Sequence, residues 1–255
     1  MGFVNPKDQT EKLFMVLFGA PGVGKTVLSQ KIGGKTLIIT DEAGHKALRT
    51  WPEFDGLYEV WVYEDIRDID ALIAQRKAGK LKFDTMIFDT FTGIQKFTLK
   101  QHMTPGYHNF LTTNRNHPNV PALQDYLLSE QLWTPVLQKL AVQTDFNVIL
   151  NCHVRLPDSD PAKRTPGDKV RPSLPDAVYQ VANGKANLVV YMDTMGGDEK
   201  SSKQVGLGER TPISRFVSTV ATNKVAGKNQ IRGLPPVMTD DDFVKAVLQW
   251  QGQST

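Results

Sequence analysis

The stretch GAPGVGKT, residues 19–26, fits the spacing G-x-x-x-x-G-K-[ST] and stands between an apolar run and a helical pattern. That context gives the pattern its chemistry. Gly19, Gly22 and Gly24 let the backbone curl so that successive N–H groups point at one phosphate, with Ala20, Pro21, Val23 and Val27 completing the cradle and the turn behind it. Lys25 would reach the β/γ oxygens, and the Thr26 hydroxyl would ligate Mg²⁺. Asp89 closes TMIFD, an apolar strand ended by an acid, which is what a second Mg²⁺-organising residue requires.

Hydrolysis further needs a group that orients or deprotonates water. Many P-loop ATPases place a glutamate directly after the strand-end aspartate, but here Thr90 follows Asp89 and no acid occurs between residues 90 and 124. The base must come from elsewhere. LIITDEAGH carries Asp41 and Glu42 off the carboxyl end of a second strand, on the edge where open α/β sheets bind ligands. Glu42, with the longer side chain, is the favoured base and Asp41 the reserve; a solvated acidic turn is the plain alternative. FNVILNCHV ends in Asn151 and His153, which could sense a γ-phosphate if this strand lies between the other two. His153 could equally be a satisfied hydrogen-bonding residue at a loop mouth. Guanine recognition through N-K-x-D is excluded, because TNKVAG has Ala226 where the aspartate belongs.

These residues need an alternating α/β scaffold to bring them together. LFMVLF, TLIIT, LYEVWVY, DTMIFD and FNVILNC read as buried strands. Between them Ile66, Ile69, Leu72 and Ile73 share one helical face, and Leu123, Tyr126, Leu127, Trp133, Val136, Leu137 and Leu140 trace a longer core stripe. The fold class is therefore α/β, a mainly parallel sheet flanked by helices. After residue 185 ANLVVYMDT and ISRFVSTVAT predict an antiparallel hairpin on the far edge of the sheet, and Thr239 caps a C-terminal helix opened by aspartates. One domain over 1–255 is expected, with a nucleotide-binding core at 12–154, a flexible loop at 155–172, and edge strands plus helix at 185–255. RLPDSDPAKRTPGDKVRP has eight charged residues and four prolines, which exclude a helix or an inner strand.

Composition sets the outer limits. A chain of 255 residues with 40% hydrophobic content buries one substantial core, and a net charge of +3 confines any nucleic-acid surface to a local patch. The single Cys152 excludes an internal disulfide and suits a reducing cytoplasm. MGFVNPKDQTEK lacks an apolar leader core, and no apolar run approaches the roughly 20 residues of a membrane span. No membrane association and a cytoplasmic location are expected.

In order and spacing, GAPGVGKT, TLIITDEAGH, DTMIFDT and VILNCHV resemble the core of phage-encoded RecA-like nucleotide-binding proteins, the shortened recombinases called Sak-type single-strand annealing proteins, over about residues 12–230. The resemblance implies a RecA-like P-loop core that takes ATP and Mg²⁺. It also implies binding to single-stranded DNA, side-by-side assembly into a ring or filament, and an ATPase role in phage recombination or annealing in the host cytoplasm. A single-strand DNA-binding protein is a candidate partner. Glu42 matches the family's catalytic glutamate, although Thr40 stands where relatives tend to carry a further acid. TNKVAGKNQIR resembles the segment whose lysines reach a neighbour's ATP site, which makes Lys224 and Lys228 candidate trans-acting cations. Two DNA-contacting loops are implied. The first, at 102–121, offers Arg115 with His102, Tyr107, His108, Phe110 and His117. The second, at 155–172, offers Arg155, Lys163, Arg164, Lys169 and Arg171 against three aspartates, or else is an exposed linker. A P-loop small-molecule or nucleotide kinase and a non-hydrolysing ATP-binding switch are the competing readings. Trp51 is a candidate adenine contact.

Overall fold

The computed structural model describes residues 12–41, 44–107, 110–112, 117, 119–143, 145–157, 169–195, 214–222 and 224–252. The chain first lays down β1 (Phe14–Gly19), α1 (Lys25–Gly33), β2 (Thr36–Thr40), β3 (Tyr58–Val62), α2 (Ile66–Lys77), β4 (Thr85–Asp89), α3 (Phe91–Met103) and α4 (Leu123–Ala141). There follow β5 (Asn147–Arg155), β6 (Arg171–Pro172), α5 (Asp176–Lys185), β7 (Leu188–Met195), β8 (Ser214–Ser218), β9 (Lys228–Asn229), β10 (Val237–Thr239) and α6 (Asp240–Trp250). The main sheet runs β10-β8-β7-β1-β5-β4-β2-β3, with β6 and β9 paired beside it. β1 is parallel to both its neighbours, β5 and β7, and all its residues are buried.

Strand alternation builds two cores. Phe14, Val16 and Phe18 of β1 face α2, α3, α4 and α5, whereas Met15 and Leu17 join Val27, Leu28 and Ile32 of α1 and Phe243 and Val247 of α6. The first core is pinned by aromatic rings. Trp133 of α4 is fully buried and meets Phe91 of α3 edge-on at 4.9 Å, with Phe88 and Tyr63 close by. Tyr63 in turn hydrogen-bonds Thr98 of α3 at 2.7 Å. α2 opens with a capping box in which Asp65 and Asp68 satisfy each other's backbone N–H groups. Thr239 caps α6 as its sequence predicts, accepting from the Asp242 N–H.

Two expectations change on the fold. LYEVWVY is an apolar run, yet β3 is an edge strand with Trp61 and Val62 exposed, because only β2 pairs with it. In α4 the stripe is core only from Trp133 onward. Leu123, Tyr126 and Leu127 are exposed, since the first turns form a wall of an open cleft of about 810 Å³ between α3, α4 and α5. Of the loop expected at 155–172, residues 158–168 lie outside the described residues; at its ends Val154 and Arg155 pair with Pro172 and Arg171, and Val170 bridges to Val225. The expected antiparallel hairpin is formed by β7 and β8 on the far side of the sheet, with β7 also parallel to β1 and β10 at the edge.

No helix among the described residues is long and apolar enough to cross a membrane. The Cys152 thiol is buried, and desolvation pushes its pKa up to about 12 in spite of nearby Lys25. It should therefore resist alkylation in the native protein and react only on unfolding; fast labelling of the folded chain would contradict this burial. Trp133→Ala should cost about 3–5 kcal/mol in denaturant unfolding, and Trp133→Phe distinctly less.

Candidate nucleotide-binding site

The loop between β1 and α1 takes the shape that its glycines permit. Gly22 and Gly24 hold φ values of 78° and 107°, where a side chain would strain the backbone. Gly19 is small for a different reason: a carbon added there would collide with the Met192 carbonyl of β7. Val23 and Val27 turn their side chains into the core, while Ala20 and Pro21 are exposed. What the valines offer a ligand is thus backbone. α1 begins at Gly24 without a side-chain cap, so its first N–H groups and its positive end open onto the loop.

Lys25 is buried and folds back along the loop, donating to the Gly19 carbonyl at 3.0 Å and the Ala20 carbonyl at 2.8 Å. Burial lowers its pKa, an effect that Asp89 partly offsets. Thr26 donates from Oγ1 to Asp89 Oδ2 at 2.7 Å, and the other Asp89 oxygen accepts from Asn151 at 3.2 Å. Asn151 completes the network by accepting from Ser29 at 2.7 Å. Thr26 and Asp89 are the pair that would hold Mg²⁺. No cluster of three or more His, Cys, Asp or Glu able to hold a metal occurs among the described residues. One hydroxyl and one carboxylate suit an ion that keeps most of its shell as phosphate oxygens and water.

β5 lies between β1 and β4, the condition under which Asn151 and His153 border the site. In register Asn151 stands opposite Asp89 and His153 opposite Gly19. The backbone of His153 is held by the Thr92 hydroxyl at 3.0 Å and by the Ser173 N–H at 2.7 Å. Asp41 leaves β2 toward the first turn of α3, where a carbon added to Gly93 would stand 2.5 Å from its carboxylate. The positive end of α3 is a favourable place for that charge. Glu42 lies outside the described residues, as do Arg115, His108, Lys163 and Arg164.

The remaining predicted cations are spread apart. Arg155, at the end of β5, is 55% exposed and only loosely paired with Asp176 at 3.9 Å. Arg171 is 17% exposed, binds Asp176 at 2.6 Å and lies over the Tyr179 ring, so its guanidinium is already engaged. Lys169 is half-buried, and exposed Lys224 sits on a turn whose carbonyl accepts from Val170. Lys228 donates to the Asn183 and Gly184 carbonyls near the end of α5. Its strand pairs with Leu188 and Val189, at the opposite edge of the sheet from the P-loop of the same chain. Trp51 stacks on Phe54 and lies over Lys31 in the last turn of α1, the end remote from the P-loop, so it is no neighbour of this cradle. Arg215 belongs to no sequence motif and reaches Gly24 only through the pairing of β7 with β8.

A glycine-bent phosphate cradle, a lysine within it and a hydroxyl–carboxylate pair beside it define a P-loop ATPase-like domain. The family model described as an AAA domain matches residues 11–231, and the chain belongs to that family. No protein of curated function matches it. Among solved structures it is similar to the flagellar accessory protein FlaH from Methanocaldococcus jannaschii, at 10% identity over 91% of this chain and 84% of that one, with a TM-score of 0.42. It is similar also to the RadB recombinase, at 12% identity over 81% and 79% of the two chains, with a TM-score of 0.38.

Because Lys25 is a buried cation, Lys25→Met removes a desolvated charge together with the phosphate contact. The variant should melt within a few degrees of the parent, because the relief of a desolvated ammonium is offset by buried Asp89 losing a nearby cation and by the Gly19 and Ala20 carbonyls losing their donor. Added Mg·ATP, which should raise the melting temperature of the parent, should leave the variant unmoved. A marked loss of stability in the variant without nucleotide would show that Lys25 supports the fold.

Proposed function

We propose that this protein binds and hydrolyses ATP with Mg²⁺ and couples that cycle to single-stranded DNA, as a phage recombination or annealing protein acting as an assembly of like subunits. The observation that carries the ATP half is the Thr26–Asp89 contact of 2.7 Å next to Lys25 in its glycine cradle. Mg²⁺ would supply charge neutralisation at the phosphate oxygens. Lys25 and the backbone N–H groups of the loop bind and orient the phosphates. Asn151 holds the Asp89 carboxylate in place, and Glu42 is the proposed base. Asp41, beside the first turn of α3, is the reserve base.

The DNA half is supported by the resemblance in sequence and by the cleft beside the site. Arg155 and Lys96 supply cations along it, against the carboxylates of Glu130 and Asp176, with Tyr126 an exposed ring and Gln95 a buried side-chain amide with no partner among the described residues. Cations can take backbone phosphates and a tyrosine can stack on a base. Thr92 lines the same cleft and holds the backbone of His153, so the cleft touches the strand end that borders the nucleotide cradle.

The test is ATP turnover and DNA affinity measured across a salt series, with and without single-stranded DNA. Binding should be tightest at low salt, and Lys96→Glu with Arg155→Glu should flatten the slope of log K against log salt by about 1–1.5. Glu42→Gln should retain ATP and lose turnover. Absence of DNA binding at the lowest salt would end the recombination reading while leaving the ATP site intact.

A further inference from the structure

β8 runs antiparallel to β7 with Arg215 opposite Thr194, so its first residues lie at the edge where the parallel strands end. From there the Arg215 side chain reaches the last glycine of the P-loop. A carbon added to Gly24 would stand 3.1 Å from Nε and 3.2 Å from Cζ of Arg215. The guanidinium therefore lies against the residue that opens α1 and directly precedes Lys25. Among the described residues its ion pair is with Asp240, the first residue of α6, at a long 3.9 Å. The side chain is 31% exposed. A guanidinium so placed, loosely neutralised and open to solvent, adds a second cation to a cradle that already presents an ammonium and a helix N-terminus.

We propose that Arg215 is a nucleotide-contacting residue acting in cis, pairing with the α- and β-phosphates of the nucleotide held by the P-loop. The proposal rests on the ATP reading above. The assignment to the inner phosphates follows from position, because the backbone around Gly24 is the part of such a loop that cradles them, whereas Lys25 extends toward the β/γ oxygens. Arginine suits the task, since its planar fork can donate two hydrogen bonds to one phosphate. Asp240 is then the competitor for the same guanidinium. Its neighbour Asp241 binds Lys31 of α1 at 2.9 Å, so the start of α6 is tied to the P-loop helix whether or not Arg215 stays with Asp240.

The alternative is a strut: Arg215 and Asp240 merely hold α6 to the sheet. The two are separated by equilibrium titration of fluorescent ATP and ADP analogues with Mg²⁺, together with melting curves in the absence of nucleotide. Arg215→Ala should weaken ATP and ADP alike by roughly 10–100-fold, with Arg215→Lys in between. Asp240→Asn should leave affinity unchanged or tighten it severalfold, because the competing carboxylate is gone. The melting temperature of both variants without nucleotide should stay within about 3 °C of the parent. Parent-like nucleotide affinity in Arg215→Ala would overturn the proposal and leave the ATP reading standing, as would matched losses of stability in Arg215→Ala and Asp240→Asn without loss of affinity. A loss confined to ATP would overturn the assignment to the inner phosphates. A parent protein that binds neither analogue would instead sink the ATP reading itself.

Discussion

The carboxylate of Asp89 is held from two directions at once, and the site hangs on that double hold. One oxygen accepts from Thr26 on α1, the other from Asn151 on β5, and Ser29, one turn beyond Thr26, closes the ring by donating to Asn151. Asp89, Asn151 and Ser29 are buried. A buried polar network with its members satisfied fixes geometry, whereas each orphaned group costs about 1–3 kcal/mol. The network leaves little freedom for the start of α1 to slide along the sheet. The P-loop is therefore anchored at both ends, by Gly19 pressed onto the Met192 carbonyl of β7 and by Thr26 bonded to the tip of β4.

Strand direction decides which residues can join this centre. Parallel strands deliver their last residues to the ligand edge, which is why Asp89, Asn151 and His153 gather there with Gly19. An antiparallel strand delivers its first residues to that edge instead. Arg215 is the second residue of β8 and arrives beside Gly24 for that reason. β9 pairs with the beginning of β7, so Lys228 comes to the other edge and caps α5. Two cations that look alike in sequence thus reach opposite ends of the strands through strand direction and register alone.

The parts legible in the sequence were those written in local pattern. GAPGVGKT carries its own backbone requirements in its glycines, TMIFD announces both strand and acid, and the spacing of Ile66, Ile69, Leu72 and Ile73 states a buried face. What stayed hidden depends on partners far along the chain. β3 reads as a buried strand because its residues are apolar, but burial follows place in the sheet, and β3 is at the edge. The stripe of α4 tells which side of the helix is apolar without telling where the sheet beneath it ends, so Leu123 and Leu127 looked like core. The pairing of β7 with β1 follows from α5 crossing between parallel strands, and a hairpin signal between β7 and β8 cannot reveal it. Arg215 has no motif to mark it, and only three-dimensional pairing brings it to the P-loop.

The placement of Lys25 bears on how such a site prepares for an anion. A long cationic side chain loses up to about 2 kcal/mol of rotamer freedom when it is ordered. Here the carbonyls of Gly19 and Ala20 already order it, at distances of 3.0 Å and 2.8 Å, inside the loop that it serves. The same burial that lowers its pKa makes a nearby phosphate a better partner than water, since an opposite charge strengthens the protonated form. The positive end of α1 acts in the same direction and is fixed by the backbone. Lys25 and the open N-terminus of α1 thus present two fixed positive groups to one loop, while the Asp89 carboxylate beside them is held by Thr26 and Asn151.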